Sequence, residues 1–464
     1  MSNDLQVTKI LTEYAVTTRF EQYPKDVTER AKRFIIDTIA CAFGGAPTAL
    51  GQAMLSTMSA SGETGPHTII GETAGFGAAT AALLNGTNAN SLDFDETLEG
   101  IGHPSASVIP AALAAGELRG SNGKDLITAI LTGYDVGNRI GKAIQPSYER
   151  LQQVWNVGTW QTMGAAAAAA RILNLDLLQT QHAYGIAGAT APLPNTQKWG
   201  WELEERPIHW VKEPTGWAAW TGTTAALLAE KGFVGNRFIL DGPKGFWIMA
   251  GSDQCDFDTM VAGLGERFSV MDLSMKAYPC CRWQHSALDC VDAIITANTL
   301  RAEDIASVDI YSFDWVQAFE VYGPKDMVDA EFSLPYSVTM LLHRIIRGAA
   351  WFAPDTLHNP LLTEYSRRVR VHTDSGMNTL YHTKGDIGAR VKITTHSGQE
   401  LEESSTCPSG SPSKFMSDQV IYEKFRALVE PVLGKNCQVL LDQLTDLESV
   451  GNLSDLTALM RMKT

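Results

Sequence analysis

The chain is predicted to be mainly α with an α+β part. A large all-helical domain spans residues 1–268, a smaller inserted α+β unit spans 269–407, and residues 408–464 return to the helical domain. Three observations carry that expectation. Alanine-rich runs at helical spacing recur through the first 268 residues. Stretches that alternate apolar and polar positions begin beyond residue 269. A helical pattern resumes after the loop CPSGSPSKF.

The first helix is read from VTERAKRFIIDTIACAFGG. Phe34, Ile35, Ile39, Ala42 and Phe43 recur at mixed spacings of 3 and 4, charged residues cluster near the start, and Gly44-Gly45 offers an end. The runs GFGAATAALLNG, ASVIPAALAAGEL, GAAAAAARIL and GWAAWTGTTAALLAEKG follow. Alanine is the best helix former and its small side chain lets helices pack closely. Asn174 and Gly232 stand where the last two runs need C-terminal caps. Past residue 269, SVDIYSF places Val308 and Ile310 on one face. RRVRVHTD and ARVKITTHSG do the same with Val369, Val371, Val391 and Ile393. The stretch 374–388 between them reads as a connection. Helices are expected from Ala287 to Asn298 and from Ser337 to Ile346. The final run, SDQVIYEKFRALVEPVLG, has Ser417 or Asp418 as its cap.

With 464 residues there is ample length for a large buried core in two or three domains. The net charge is −15, which argues against nucleic acid and anionic membrane as partners, because both need a basic face. A small anionic substrate remains compatible with a locally basic pocket. The start MSNDLQVTKILTEYAV lacks the basic and apolar regions of a secretory signal, and no uncharged apolar run reaches the ~20 residues of a membrane span. Seven scattered cysteines without a CxxC pair point to reduced thiols and a cytoplasmic location. P-loop, GxGxxG and GxSxG patterns are all missing, so neither bound nucleotide nor an activated serine is expected.

Chemistry concentrates in SLDFDETLEGIGHPSASVIPAALAAGE. Asp93, Asp95, Glu96 and Glu99 crowd before His103-Pro104. Three readings compete: a divalent-metal site using Asp93, Asp95 and Glu96, an acid/base site at His103, or a solvated acidic loop. A carboxylate beside a histidine sets its tautomer and raises its basicity, and Asp93 suits that role for His103. In MKAYPCCRWQHS, the potential cations Lys276, Arg282 and His285 suit carboxylate binding, or else a surface helix entry. In HWVKEPTGWAAW, Lys212 precedes a helix start, where a partly buried lysine acts as a base and an exposed one does nothing. In AEFSLPYSV, Tyr336 is a phenolic donor or a packed core ring.

These stretches, in this order, resemble the MmgE/PrpD family, which includes 2-methylcitrate dehydratases, cis-aconitate decarboxylases and iminodisuccinate epimerases. AKRFIIDTIACAFGG, AALLNGTNANSLDFDET, HPSASVIPAALAAGE, GYDVGNRI, GTWQTMGAAAAAARILNLD, KAYPCCRWQHS, DAEFSLPYSV and PSGSP carry the likeness nearly end to end. The resemblance implies a homodimer with its site between the helical body and the lid, and no metal, nucleotide or iron–sulfur cofactor. It places Asp93, Thr97, His103, Lys212 and Tyr336 at catalytic positions and Lys276, Arg282 and His285 at substrate-binding ones. The implied activity is a lyase of 2-methylcitrate dehydratase type on a small di- or tricarboxylate. Epimerisation, decarboxylation and a non-catalytic dicarboxylate-binding relative are the alternatives. Three positions depart from the family pattern. Trp155 stands where a histidine is usual, Lys212 lies four rather than five residues before its glycine, and the second acid of the usual Asp-Asp-Thr is Glu96.

Overall fold

A computed structural model describes residues 6–196 and 214–462. Its helical body is built where alanine and glycine let backbones approach. In helix Val157–Ile172, Ala165 to Ala170 are all fully buried, so this run is a core helix and its alanines are its packing surface. Helix Lys25–Gly45 buries Phe34, Ile35, Ile39, Ala42 and Phe43, as its spacing predicts. The helix ends at Gly45, as expected, and that glycine also has a packing role. A Cβ there would lie 1.9 Å from the Asn88 carbonyl oxygen on helix Ala78–Asn90, so the glycine permits the crossing of two helices. Gly45→Ala is expected to destabilise the protein by roughly 1–3 kcal/mol through overpacking, read as a lower urea midpoint. Asn174 and Gly232 take the left-handed conformation just past their helices, at φ 54° and 86°.

The α+β unit holds a four-stranded sheet in the order Val369–Thr373, Ile305–Ser312, Ala389–Thr395, Glu400–Ser405. The first pair is parallel, with Val308 opposite Val369 and Ile310 opposite Val371. The next pair is antiparallel, with Val308 opposite Ile393 and Ile310 opposite Val391. All six side chains are buried on one face, so the alternation correctly gave both strand and side. The stretch 374–388 is more than a connection. It contains helix Ser375–Lys384, started by the Asp374 carboxylate, which accepts from Gly376 N and Met377 N. Helix Leu334–Leu342 starts earlier and stops earlier than expected. Ser333 caps it through Tyr336 N, and Arg344 turns left-handed at φ 56° just beyond.

Helix Asp418–Leu433 packs on helix Lys25–Gly45. Its Ser417 makes no side-chain cap. Asp418 instead pairs with Arg33 at 2.5 Å, and Lys424 lies 2.6 Å from Asp37. Farther on, Gly123 N donates to Val450 O and Leu453 N to Ser121 O. One connected apolar core runs from the body through the α+β unit and into these last helices. All seven cysteines are free thiols. Among the described residues no single helix is long and apolar enough to cross a membrane.

Candidate active site

The acidic stretch leaves helix Ala78–Asn90 as a loop and re-enters structure at helix Ser105–Arg119. It is not solvated. Asp93, Asp95 and Glu96 are 3%, 0% and 0% exposed, which overturns the reading of an exposed acid run. Each acid has its own compensation. Asp93 adopts a left-handed backbone at φ 48°, and its carboxylate lies 2.7 Å from the Lys276 ammonium, which also donates to the Asp93 carbonyl at 2.9 Å. Asp95 accepts from the Asn90 amide through both oxygens, at 3.0 and 3.1 Å. Glu96 accepts from Ser105 N at 2.6 Å, at the start of the following helix. Burial first, and the neighbouring Asp95 second, push the Glu96 carboxyl well above the usual carboxylate range. Glu99 reaches the other side of the loop, accepting from Ser274 Oγ at 2.6 Å and from Arg282 Nε at 3.1 Å.

His103 is oriented by this loop. Its Nδ1 lies 2.7 Å from the Glu96 carbonyl oxygen. A carbonyl only accepts, so Nδ1 carries a proton and Nε2 is the other ring nitrogen available for proton transfer. Nε2 is 3.9 Å from Asp93 Oδ1, and Nδ1 is 3.6 Å from Asp95 Oδ2. Behind the ring, the Gln161 side-chain amide donates to the His103 carbonyl. The imidazole keeps about a quarter of its surface exposed, and it lines a cleft of about 960 Å³, open mouth included.

The cleft brings together five predicted residues: Asp93, Thr97, His103, Lys276 and Arg282. A two-bond bridge joins the two parent segments, with Thr97 N donating to Ser274 O and Ser274 N to Thr97 O, both at 2.9 Å. The Thr97 hydroxyl donates to Gly102 O at 3.1 Å. Trp155, in a short strand pair with Asn195, lines the cleft too. Arg282 is buried and heavily engaged. Besides Glu99, its guanidinium donates to Ser409 O and Ser411 Oγ, both at 2.7 Å. The PSGSP loop thereby forms a collar around Arg282.

Two predicted residues lie behind the wall. His285 is fully buried, with Nδ1 3.3 Å from Arg282 and Nε2 3.3 Å from Cys280 O, and it is not among the cleft-lining residues. Burial, then the adjacent guanidinium, hold its pKa well below the usual histidine value, so it is neutral and supports Arg282. Tyr336 is buried and donates to the Trp351 carbonyl, its phenol pushed far up by burial. Its packed-ring reading is the one the contacts favour. Lys212 lies outside the described residues. Sequence reasoning missed Asn90, Gln161 and Asn195, because a lone amide in a helix or loop carries no spacing signal.

Asp93, Asp95 and His103 have ligand atoms within 4.8 Å of one another, which is metal-like spacing. The donor set is poorly suited to a divalent ion. Asp93 is already held by an ammonium, Asp95 by an amide, and His103 Nδ1 by a carbonyl.

Comparison with known proteins agrees with this architecture. The family model for the MmgE/PrpD N-terminal domain matches residues 9–257, and that for the MmgE/PrpD C-terminal domain matches 278–447. The chain is 25% identical over 475 residues to a cis-aconitate decarboxylase of Aspergillus terreus, covering 95% of this chain and 94% of that one. It is 25% identical over 452 residues to the cis-aconitate decarboxylase of Homo sapiens, covering 94% and 90% of the two chains. Against that of Mus musculus the identity is 26% over 461 residues, covering 94% and 89%. With two family domains matched over most of its length, the chain belongs to the MmgE/PrpD family.

Proposed function

We propose that this protein is a lyase acting on a small di- or tricarboxylate by proton transfer at a carbon next to a carboxylate. The observation that carries the reading is the His103 ring, tied through Nδ1 to Glu96 O and lining the cleft. Asp93, locked by Lys276, lies beside Nε2 and stabilises the imidazolium. Full-length similarity to proteins named cis-aconitate decarboxylases supports the substrate class.

Within that class, decarboxylation of a cis-aconitate-like acid fits the described residues best. Dehydration asks for one group to take a proton from carbon and another to protonate the leaving hydroxyl. Decarboxylation asks for one donor, and His103 is the one histidine among the described lining residues. The carbon–carbon bond to a carboxylate breaks and carbon dioxide leaves. The bonding pair stays on the substrate and forms a new C–H bond with a proton that the His103 imidazolium gives from Nε2, and a proton from solvent then reloads that nitrogen. Asn90, Asn195, Thr97 and Thr215 line the cleft as neutral donors for the remaining carboxylates. Lys276 and Arg282 supply cationic groups that are each paired with a carboxylate, Asp93 and Glu99. Lys212 enters the proposal from the sequence, as do the homodimer, the lid and the cytoplasmic location.

The test is proton NMR in D₂O with the full-length protein and a panel of citrate-, aconitate- and succinate-like acids, with and without EDTA. Carbon dioxide loss with deuterium incorporation, unchanged by EDTA, is expected. Water elimination would select the dehydratase, and exchange without elimination the epimerase. Silence across the panel would favour a non-catalytic carboxylate-binding relative. Loss of activity in EDTA would restore the metal reading.

A further inference from the structure

Three separate stretches meet at the site: the loop after helix Ala78–Asn90, the segment around Lys276, and helix Asp418–Leu433 from the end of the chain. We propose that Lys424 on that last helix is a positioning residue for the reaction, clamping the backbone on both sides of the Asp93–Lys276 pair.

Lys424 is buried, and its ammonium donates to the carbonyl oxygen of Phe94 at 2.5 Å and to that of Lys276 at 3.2 Å. Its third neighbour is the Asp37 carboxylate at 2.6 Å. The two carbonyls take hydrogen bonds, and the carboxylate supplies the opposite charge. The Phe94 ring adds a cation–π contact, its centroid 3.8 Å from Nζ. Both carbonyls are strategic. Phe94 stands between Asp93 and Asp95, so holding its carbonyl fixes the peptide that leads into Asp95, one residue beyond Asp93. The second carbonyl belongs to the residue whose own ammonium grips Asp93. One cation thus sets the distance between the two halves of the pair that lies beside His103 Nε2.

Docking the helix does not require this charge. Ile421, Phe425, Leu428 and Val429 are all buried on the same helix and supply apolar contact. A buried ion pair is commonly no better for stability than apolar packing of the same volume, whereas its geometry is demanding. Burial pulls Lys424 toward the neutral amine, but Asp37 outweighs it and keeps the amine charged. The costly pair is explained by what it orients.

The assay rests on the reading of His103 as the proton-transfer group. The test compares full-length wild type with Lys424→Met and with the double variant Asp37→Asn/Lys424→Met, which removes both charges together. The double variant is expected to unfold within about 3 °C of wild type. Its kcat is expected to fall about 10-fold or more, because a reacting group has moved out of line. The limb of its kcat/KM pH profile set by His103 is expected to move by about half a pH unit or more, as Asp93 shifts relative to the ring. Since the double variant changes no net charge, that movement reports position. A folded double variant with wild-type kcat and profile would overturn the proposal. So would loss of activity that follows the unfolded fraction while the profile stays unchanged. If wild type turns over none of the panel, the proposed function fails on its own. The positioning role is then read by histidine-selective ¹⁵N NMR titration of His103, where an unshifted pKa in the double variant overturns it.

Discussion

His103→Ala is expected to lower kcat on the true substrate by about 10²- to 10⁴-fold, the usual worth of one well-placed acid/base group. The fold should survive, because the side chain is partly exposed. Its Nδ1 holds one carbonyl, and Gln161 contacts its backbone, which alanine keeps. The readouts are turnover by NMR and the thermal midpoint. His103→Asn offers a second view: an amide nitrogen can still donate to Glu96 O, yet it cannot exchange a proton at neutral pH. Both variants should therefore be equally slow. Wild-type turnover in either would remove His103 from the mechanism.

Lys276→Met is expected to cost about 3–5 kcal/mol of stability and nearly all activity, because it strands a buried carboxylate without its ammonium. Asp93 is 3% exposed and Lys276 0% exposed, so water cannot replace the lost partner. The companion is Asp93→Asn/Lys276→Met, which removes both charges. Asparagine is the right replacement because residue 93 has φ 48°, a conformation that asparagine tolerates well among non-glycine residues. The double variant should recover most of the stability and none of the rate. Urea unfolding and the NMR assay separate the two quantities. Recovery of rate together with stability would show that the pair serves the fold and not the chemistry.

Much of this molecule was legible in one dimension. Val308, Ile310, Val369, Val371, Val391 and Ile393 alternate because a strand has a period of two, and their shared burial follows directly. Asp93, Thr97 and His103 lie within eleven residues and line one cleft, because a single loop carries them. The helix Ser375–Lys384 was missed because an aspartate cap and a short polar helix imitate a loop. Tyr336 and His285 were expected at the site, but neither is among the cleft-lining residues, because which way a side chain points is not written in the chain.

What the sequence by itself determined is the order of the elements, the buried face of each, and the concentration of acid/base chemistry before Pro104. What only the tertiary structure decided is which charges neutralise which. Lys276 meets Asp93 across 183 positions, and Lys424 meets Phe94 across 330. Those pairings also decide that four acids in seven residues form a buried, compensated site and not a solvated loop. The reason is physical: periodicity reports which face of an element leaves water, whereas a buried charge is compensated through space, by whichever partner the fold brings within about 3 Å.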